Sequence, residues 1–401
     1  MEQTGTKEYL IKYKLAYTSI IVAIYLLGRN IPLYGVDVST YTVTAGNAET
    51  LLMQAIGGDA NRYSLFALGI SPYMISSILT QIMVACRRAA TRIQMLPSRI
   101  SRIQLTLTMC FTLVQAIIRV RELNFRINAS TEPLIKIIVI VEMITGVIMI
   151  LWLGSRNEKY GIGGRTILIY INIIDGTMSI LIGHSARELF IPLVLSAMLI
   201  IVTLVMEGGE KRIPMQRISI HNIYADKNYL AIKLNPVGIM PVMFASAFFT
   251  LPQLAVSGLC WLFPDNGTLI WWQENLALTR PLGIGVYIAI LYLLTIGFAM
   301  ITISPGDLAE QMMKGGDSIL NLHAGRDTKR YLIREVCTSG FFSATVMSIC
   351  LGIPMLLQLK GGINRELVMF PASIMMLTSL WYNLYQEFET IRSYEAYRPF
   401  I

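Results

Sequence analysis

Pro133-Leu-Ile-Lys-Ile-Ile-Val-Ile-Val-Glu-Met-Ile-Thr-Gly-Val-Ile-Met-Ile-Leu-Trp-Leu153 holds only two charged side chains, Lys136 and Glu142. A helix rises about 1.5 Å per residue, so this run crosses a hydrocarbon core about 30 Å thick. It does not alternate apolar with polar residues, as a barrel strand would. In lipid, a helix satisfies its own backbone hydrogen bonds. Nine further runs read the same way: 15–33, 65–85, 104–120, 166–182, 189–206, 237–257, 283–303, 335–357 and 368–386. The chain is 54% hydrophobic and 14% charged, against roughly 25% charged in soluble domains. The expected fold is an all-α membrane protein of ten transmembrane helices.

The formal net charge is +8, and its distribution argues against nucleic acid as the partner. If the spans alternate from a cytoplasmic N-terminus, the inner segments are 1–14, 86–103, 154–165, 207–236, 304–334 and 387–401. With the edge residue Arg334 left out, they carry 22 of the 33 Lys and Arg residues. This positive-inside bias places both termini in the cytoplasm and the chain in the cell membrane. The positive segments also suit anionic lipid. The five cysteines are odd in number, irregularly spaced and mostly within apolar runs, so neither a disulfide framework nor a metal site follows. Lys7, Lys12 and Lys14 precede the first apolar run, but no small-residue cleavage site follows it.

The breaks in the runs are more informative than the runs. Between the first two spans, 34–64 holds Gly35, Gly46, Gly57 and Gly58 around a short apolar piece, 51–56. It reads as an ordinary outer loop or as a re-entrant segment, which requires a cavity or a protein lining. Gly69 and Pro72, then Pro236, Gly238 and Pro241, then Pro305 break helices near span ends. Such interruptions accompany membrane proteins that surround a cavity. The spans divide five and five, and Ile31-Pro32 and Asn235-Pro236 break both halves near their starts. Two inverted halves, 1–182 and 183–401, are therefore expected. Loops 207–236 and 304–334 are long for simple connections. Their mixed charge reads as a solvated surface or as a dock for a soluble partner.

Enzyme chemistry is not evident, and no cofactor is implied. His184, His221 and His323 form no His-Glu-x-x-His spacing. Gly161-Ile162-Gly163-Gly164 lacks the Lys and Ser/Thr of a phosphate loop. Asp175 and Glu142 lie inside spans, where ionisable groups are costly and default to functional candidates. Either they serve a proton-coupled transporter with inverted repeats, or they pair within the protein.

Arg62 through Leu79, with its core Ala67-Leu68-Gly69-Ile70-Ser71-Pro72-Tyr73-Met74-Ile75, resembles the second helix of the SecY family, the central subunit of the Sec translocon. Further blocks follow in the family's order. They are Gly28-Arg29-Asn30-Ile31-Pro32 with Gly35, Leu153-Gly154 through Gly163, and Lys211-Arg212-Ile213-Pro214-Met215-Gln216, which resembles the strand in the family's sixth loop. Leu234 through Pro241 with Phe244-Ala245-Ser246 comes next, then Asp307-Leu308-Ala309-Glu310 with Thr328 and Tyr331. The chain departs from the family where His323 stands at a usual Arg, where Gly164 stands at a usual Asn, and in its short sixth loop. These departures are similar to the accessory SecY of some Gram-positive bacteria; a divergent housekeeping SecY is the alternative.

The resemblance implies a passive channel with a waist of apolar side chains at Met74, Ile78, Ile174, Met243 and Leu380 or Trp381. Tyr170 lies one turn before Ile174. It implies a plug at about 47–60 and a lateral gate near Ser76, Ser77 and Asn235. It implies a SecA-type motor ATPase docking on the two long loops through Lys211, Arg212, Arg217, His323, Arg326, Lys329 and Arg330. The further partners it implies are small SecE/SecG-like or accessory membrane subunits and unfolded secretory proteins with signal sequences, among them serine-rich glycosylated adhesins.

Overall fold

The computed structural model describes residues 7–36, 63–91, 96–123, 125, 132–217, 228–262, 266–277, 280–320, 322–323, 325–361 and 367–397. The expected plug, 47–60, lies outside the described residues. Each of the ten apolar runs falls on a helix. These are α1 (Lys7–Arg29), α2 (Ser71–Thr91), α3 (Pro97–Glu122), α4 (Glu132–Tyr160), α5 (Thr166–Gly183), α6 (Ala186–Gly208), α7 (Met240–Leu262), α9 (Pro281–Ile303), α11 (Arg326–Leu359) and α12 (Phe370–Tyr397). Two shorter helices, α8 (Gly267–Asn275) and α10 (Pro305–Gly315), join them. Among the described residues, seven helical segments are long and apolar enough to cross a membrane. They comprise α1, α3, α4, α5, α6, α9 with α10, and α11.

The chain forms two compact units, one of residues 1–190 with 365–401 and one of 191–364. Packing thus groups α12 with the N-terminal helices, because α12 lies against α5 and α1.

The first unit is built on close backbone approach. A Cβ on Gly146 of α4 would sit 2.1 Å from the Leu65 carbonyl oxygen, and one on Gly28 of α1 would enter the Phe66 ring. Small residues are what let membrane helices and neighbouring backbone approach so closely. Tyr25 stacks on Phe66 with ring centroids 5.6 Å apart, and its hydroxyl donates to Asn172 Oδ1 of α5 at 2.8 Å. The Leu65 and Leu33 backbone amides donate to the carbonyls of Ile31 and Tyr63. The segment before α2 is therefore non-helical, although the apolar run predicts a span from 65. Gly69 adopts φ +56°, a left-handed conformation open to glycine at little cost, and α2 begins only at Ser71, with Pro72 in its first turn.

In the second unit α9 packs on α11 and α7. Phe249 meets Tyr287 edge-on at 5.8 Å, and Phe244 lies 4.9 Å from Phe298. Three strands, β1 (Glu210–Arg217), β2 (Tyr229–Lys233) and β3 (Asp317–Ile319), form an antiparallel sheet in the order β2-β1-β3. β1 pairs with β2 from Glu210↔Lys233 to Pro214↔Tyr229, and with β3 from Met215↔Ile319 to Arg217↔Asp317.

Candidate functional site

The two charged loops are one body. β1 and β2 come from loop 207–236 and β3 from loop 304–334, so the sheet stitches together segments about a hundred residues apart. Lys211 Nζ donates to Glu335 Oε2 on α11, and the Arg212 guanidinium lies over the Tyr229 ring at 4.7 Å. Burial, followed by the Glu335 charge, pushes the Tyr331 phenol above its ordinary value. Glu310 raises the Lys314 ammonium by a hydrogen bond and by its charge. The Thr328 hydroxyl donates to the His323 carbonyl at 2.9 Å, which ties the His323 turn to the start of α11. His323, Arg326, Lys329 and Arg330 are exposed on this body. Arg217 is placed by its backbone pairing to Asp317.

The ion pair offers a direct test of the body's coherence. K211E sets two carboxylates together and is expected to loosen the sheet, while the exchange K211E/E335K restores it. For a pair with one half-exposed partner, a double-mutant cycle of thermal unfolding should give a coupling of about 0.5–1 kcal/mol. A cycle with no coupling would show that the pair does not hold the sheet to α11.

Behind the sheet lies a buried polar network. Asn235 Nδ2 donates to Glu207 Oε1 at 3.4 Å, and Ser343 of α11 donates to Asn235 Oδ1 at 2.9 Å. The Ser339 hydroxyl contacts the carbonyls of Lys233 and Leu234 at 2.9 and 3.0 Å. All these groups sit where β2 hands over to α7. Gly238 takes φ +66° there, and a Cβ on it would stand 3.4 Å from Glu207 Oε1. Asn235, expected near a lateral gate, is thus placed as the buried link between α6, α11 and the broken start of α7. Glu207 was read from the sequence only as loop charge; its burial depends on partners remote in the chain.

In the first unit, Met74 and Ile78 lie one turn apart on α2, Met74 half-buried and Ile78 buried, with Ile174 half-buried on α5. Leu380 of α12 is 3% exposed and Trp381 is 60% exposed. Trp381 instead lines an apolar cavity of about 570 Å³ with Leu15, Val22, Leu384 and Phe388. In the second unit Met243 is buried in the first turns of α7. Ser76 is buried within hydrogen-bonding distance of Thr108 of α3, at 2.6 Å, so it joins two helices of one unit. Ser77 is half-buried and accepts from Gln81 Nε2 at 3.4 Å.

The intramembrane charges are partnered. Arg29, 4% exposed, meets Asp175 at 2.6 Å, and Glu142 Oε2 accepts the Tyr34 backbone N–H at 3.0 Å. Both carboxylates therefore have structural work that requires no proton traffic. Sequence reading passed over Asn157, which sits in the charged stretch Arg-Asn-Glu-Lys yet is fully buried. Its Oδ1 accepts from Thr18 of α1 at 2.9 Å, and its Nδ2 donates to the carbonyls of Ile162 and Gly164 at 2.9 and 2.7 Å. The Gly163 amide reaches Glu387 of α12 at 3.0 Å. Gly163 and Gly164 both have positive φ. Asn also tolerates that region, so Gly164 preserves the backbone of this turn.

The SecY family model matches residues 64–385. The accessory Sec system protein translocase subunit SecY2 of Leuconostoc gelidum subsp. gasicomitatum is 30% identical, covering 97% of this chain and 96% of the relative. Its namesake in Streptococcus sanguinis is 28% identical over 98% of this chain and 99% of the relative. A solved protein-conducting channel superposes with a TM-score of 0.70 at 18% identity, over 96% of this chain and 93% of that one. Sec61 in a canine ribosome–channel complex gives 0.62, also at 18% identity, over 96% and 93% of the two chains. The family's blocks, their order along the chain and the channel fold agree, and the chain belongs to the SecY family.

Proposed function

We propose that the chain is the pore-forming subunit of an accessory Sec translocation channel. The observation that carries this reading is the similarity to accessory SecY2 proteins over nearly the whole length of both chains. It is not confined to a shared membrane motif. The absence of an evident catalytic motif in the sequence fits a passive channel. Met74, Ile78, Ile174, Met243 and Leu380 form the waist; apolar side chains there exclude water and ions, as hydrophobic gates do. Unbranched methionines mould around varied passing side chains. The stretch 47–60 acts as the plug. Signal sequences enter beside α2 and α7, shifting the closed–open equilibrium by binding the open state better.

A SecA-type ATPase supplies force through the three-stranded body, whose exposed His323, Arg326, Lys329 and Arg330 face the motor. The change from Arg to His323 supports a dedicated motor over the housekeeping one. Small membrane subunits complete the channel, and its cargo is serine-rich glycosylated adhesins, carried across the cell membrane with both termini of the channel inside.

The test places a photo-crosslinker at Ile78 or Ile174 and stalls a substrate protein in mid-transfer. The stalled chain is expected to crosslink at both positions, and not at Ile137, which lies exposed on α4. Export that proceeds with no crosslink at either waist position would remove the pore assignment.

A further inference from the structure

α8 rests against α7 and α9 without burying a side chain of its own. None of its nine residues is buried. Trp271 and Trp272 are 51% and 46% exposed, with Ile270 beside them also exposed. The two indoles pack edge-on, with centroids 5.5 Å apart. The helix is nevertheless built with care at both ends. Asn266 caps it, accepting from the Thr268 amide and hydroxyl. After it the chain turns back tightly: Leu276 is buried, Gln253 of α7 donates to its carbonyl at 3.3 Å, and a Cβ on Gly283 would lie 2.1 Å from the Ala277 oxygen. Two exposed tryptophans are thus held on a fixed scaffold.

The neighbouring helices fix where that scaffold stands. α7 and α9 have 23 residues each, about 34 Å of helix and so about one bilayer core. α8 follows the end of α7 after four residues and precedes α9 by five. Connections that short reach at most about 14–18 Å. α8 is therefore tethered within about 14–18 Å of two span ends, on the side of α7 away from the sheet. Exposed Leu259 carries the apolar surface of α7 up to this level. Tryptophan concentrates at that depth because one part of its ring is apolar and the indole N–H seeks water.

We propose that α8 is an interfacial anchor whose Trp271–Trp272 pair inserts between lipid headgroups, clamping the far end of α7 to the membrane surface. The occupant of this face is lipid. The inference rests on the membrane spans alone, so it stands or falls separately from the channel reading. Gln273 and Glu274 lie on the helix face away from the tryptophan pair and supply polar groups for the water side.

The experiment uses the full-length chain reconstituted alone in phosphatidylcholine–phosphatidylglycerol vesicles, with W152F, W261F and W381F leaving Trp271 and Trp272 as the only emitters. Vesicles are prepared with lipids brominated either near the glycerol or near the chain ends. The expected result is blue-shifted emission, quenched about twofold more by the shallow bromines than by the deep ones, as for groups 5–10 Å below the surface. If the triple substitution disturbs folding, the same signal is read as the difference between the unaltered chain and W271F/W272F. Emission that ignores both lipids but is quenched by acrylamide would mean the pair faces water, and the proposal fails. Stronger quenching by the deep bromines would place α8 within the hydrocarbon and equally overturn it. Protection from both lipid and acrylamide would show that a second copy covers the pair, which also rejects a lipid anchor.

Discussion

Gly146→Val is expected to abolish stable insertion of the first unit, or to lower its unfolding free energy by about 3 kcal/mol or more. The position leaves no room, because even a Cβ would stand 2.1 Å from the Leu65 carbonyl oxygen. That neighbour is backbone, held by the Leu65 amide's own bond to Ile31, so it cannot swing aside as a side-chain end could. Overpacking a well-fitted site costs about 1–3 kcal/mol and more where the backbone must shift. The strain falls on 63–70, the segment that delivers Met74 and Ile78 on α2. Thermal unfolding in detergent should show a large drop for G146V and a smaller one for G146A. An unchanged midpoint for G146V would mean that α4 does not contact this segment.

Asn157→Ala is expected to cost about 2–4 kcal/mol, since it removes at once the amide that donates to two carbonyls and one of the acceptors of Thr18. Thr18 loses an acceptor, and the carbonyls of Ile162 and Gly164 lose a donor. Asn157→Asp keeps the acceptor for Thr18 but turns a carboxylate toward two carbonyls, so it should be at least as damaging. Hydrogen exchange reads the effect locally: the amides of Ile162 and Gly163, bound to Thr18 and Glu387, should lose protection before the helices do. Full protection of these amides in N157A would show that the turn is held by other means.

The spans were legible because lipid leaves so little choice: a run such as 133–153 has no competing structure. Their ends were less so. α4 continues to Tyr160, beyond the apolar run, because its charged last turns, Ser-Arg-Asn-Glu-Lys-Tyr, stay helical and Asn157 within them is buried against α1 and the following turn. α2 starts later than its run because Gly69 and the bonds from Leu65 and Leu33 bend the chain first. The pairing of Arg29 with Asp175, and of Asn235 with Glu207 and Ser343, could not be read from spacing. These partners lie far apart in sequence, and a buried polar side chain looks the same as an exposed one until its partner is placed. The candidate dock shows the same limit. Both charged loops were visible, but Glu-Lys-Arg-Ile-Pro-Met-Gln-Arg has no alternation that announces a strand. Only the ladder to Asp317–Ile319 shows that the two loops form one surface.

That ladder is uneven. β1 holds β2 from Glu210 to Pro214, and Leu234 extends the grip to Gly209. It holds β3 from Met215 to Arg217, and the Leu320 amide adds a bond to the Pro214 carbonyl. In hydrogen-bonded length the sheet is thus a β1–β2 hairpin with a shorter third strand laid along its far end. The seam to β3 is the shorter of the two, so the route from loop 304–334 to Asn235 and the root of α7 crosses the narrower join.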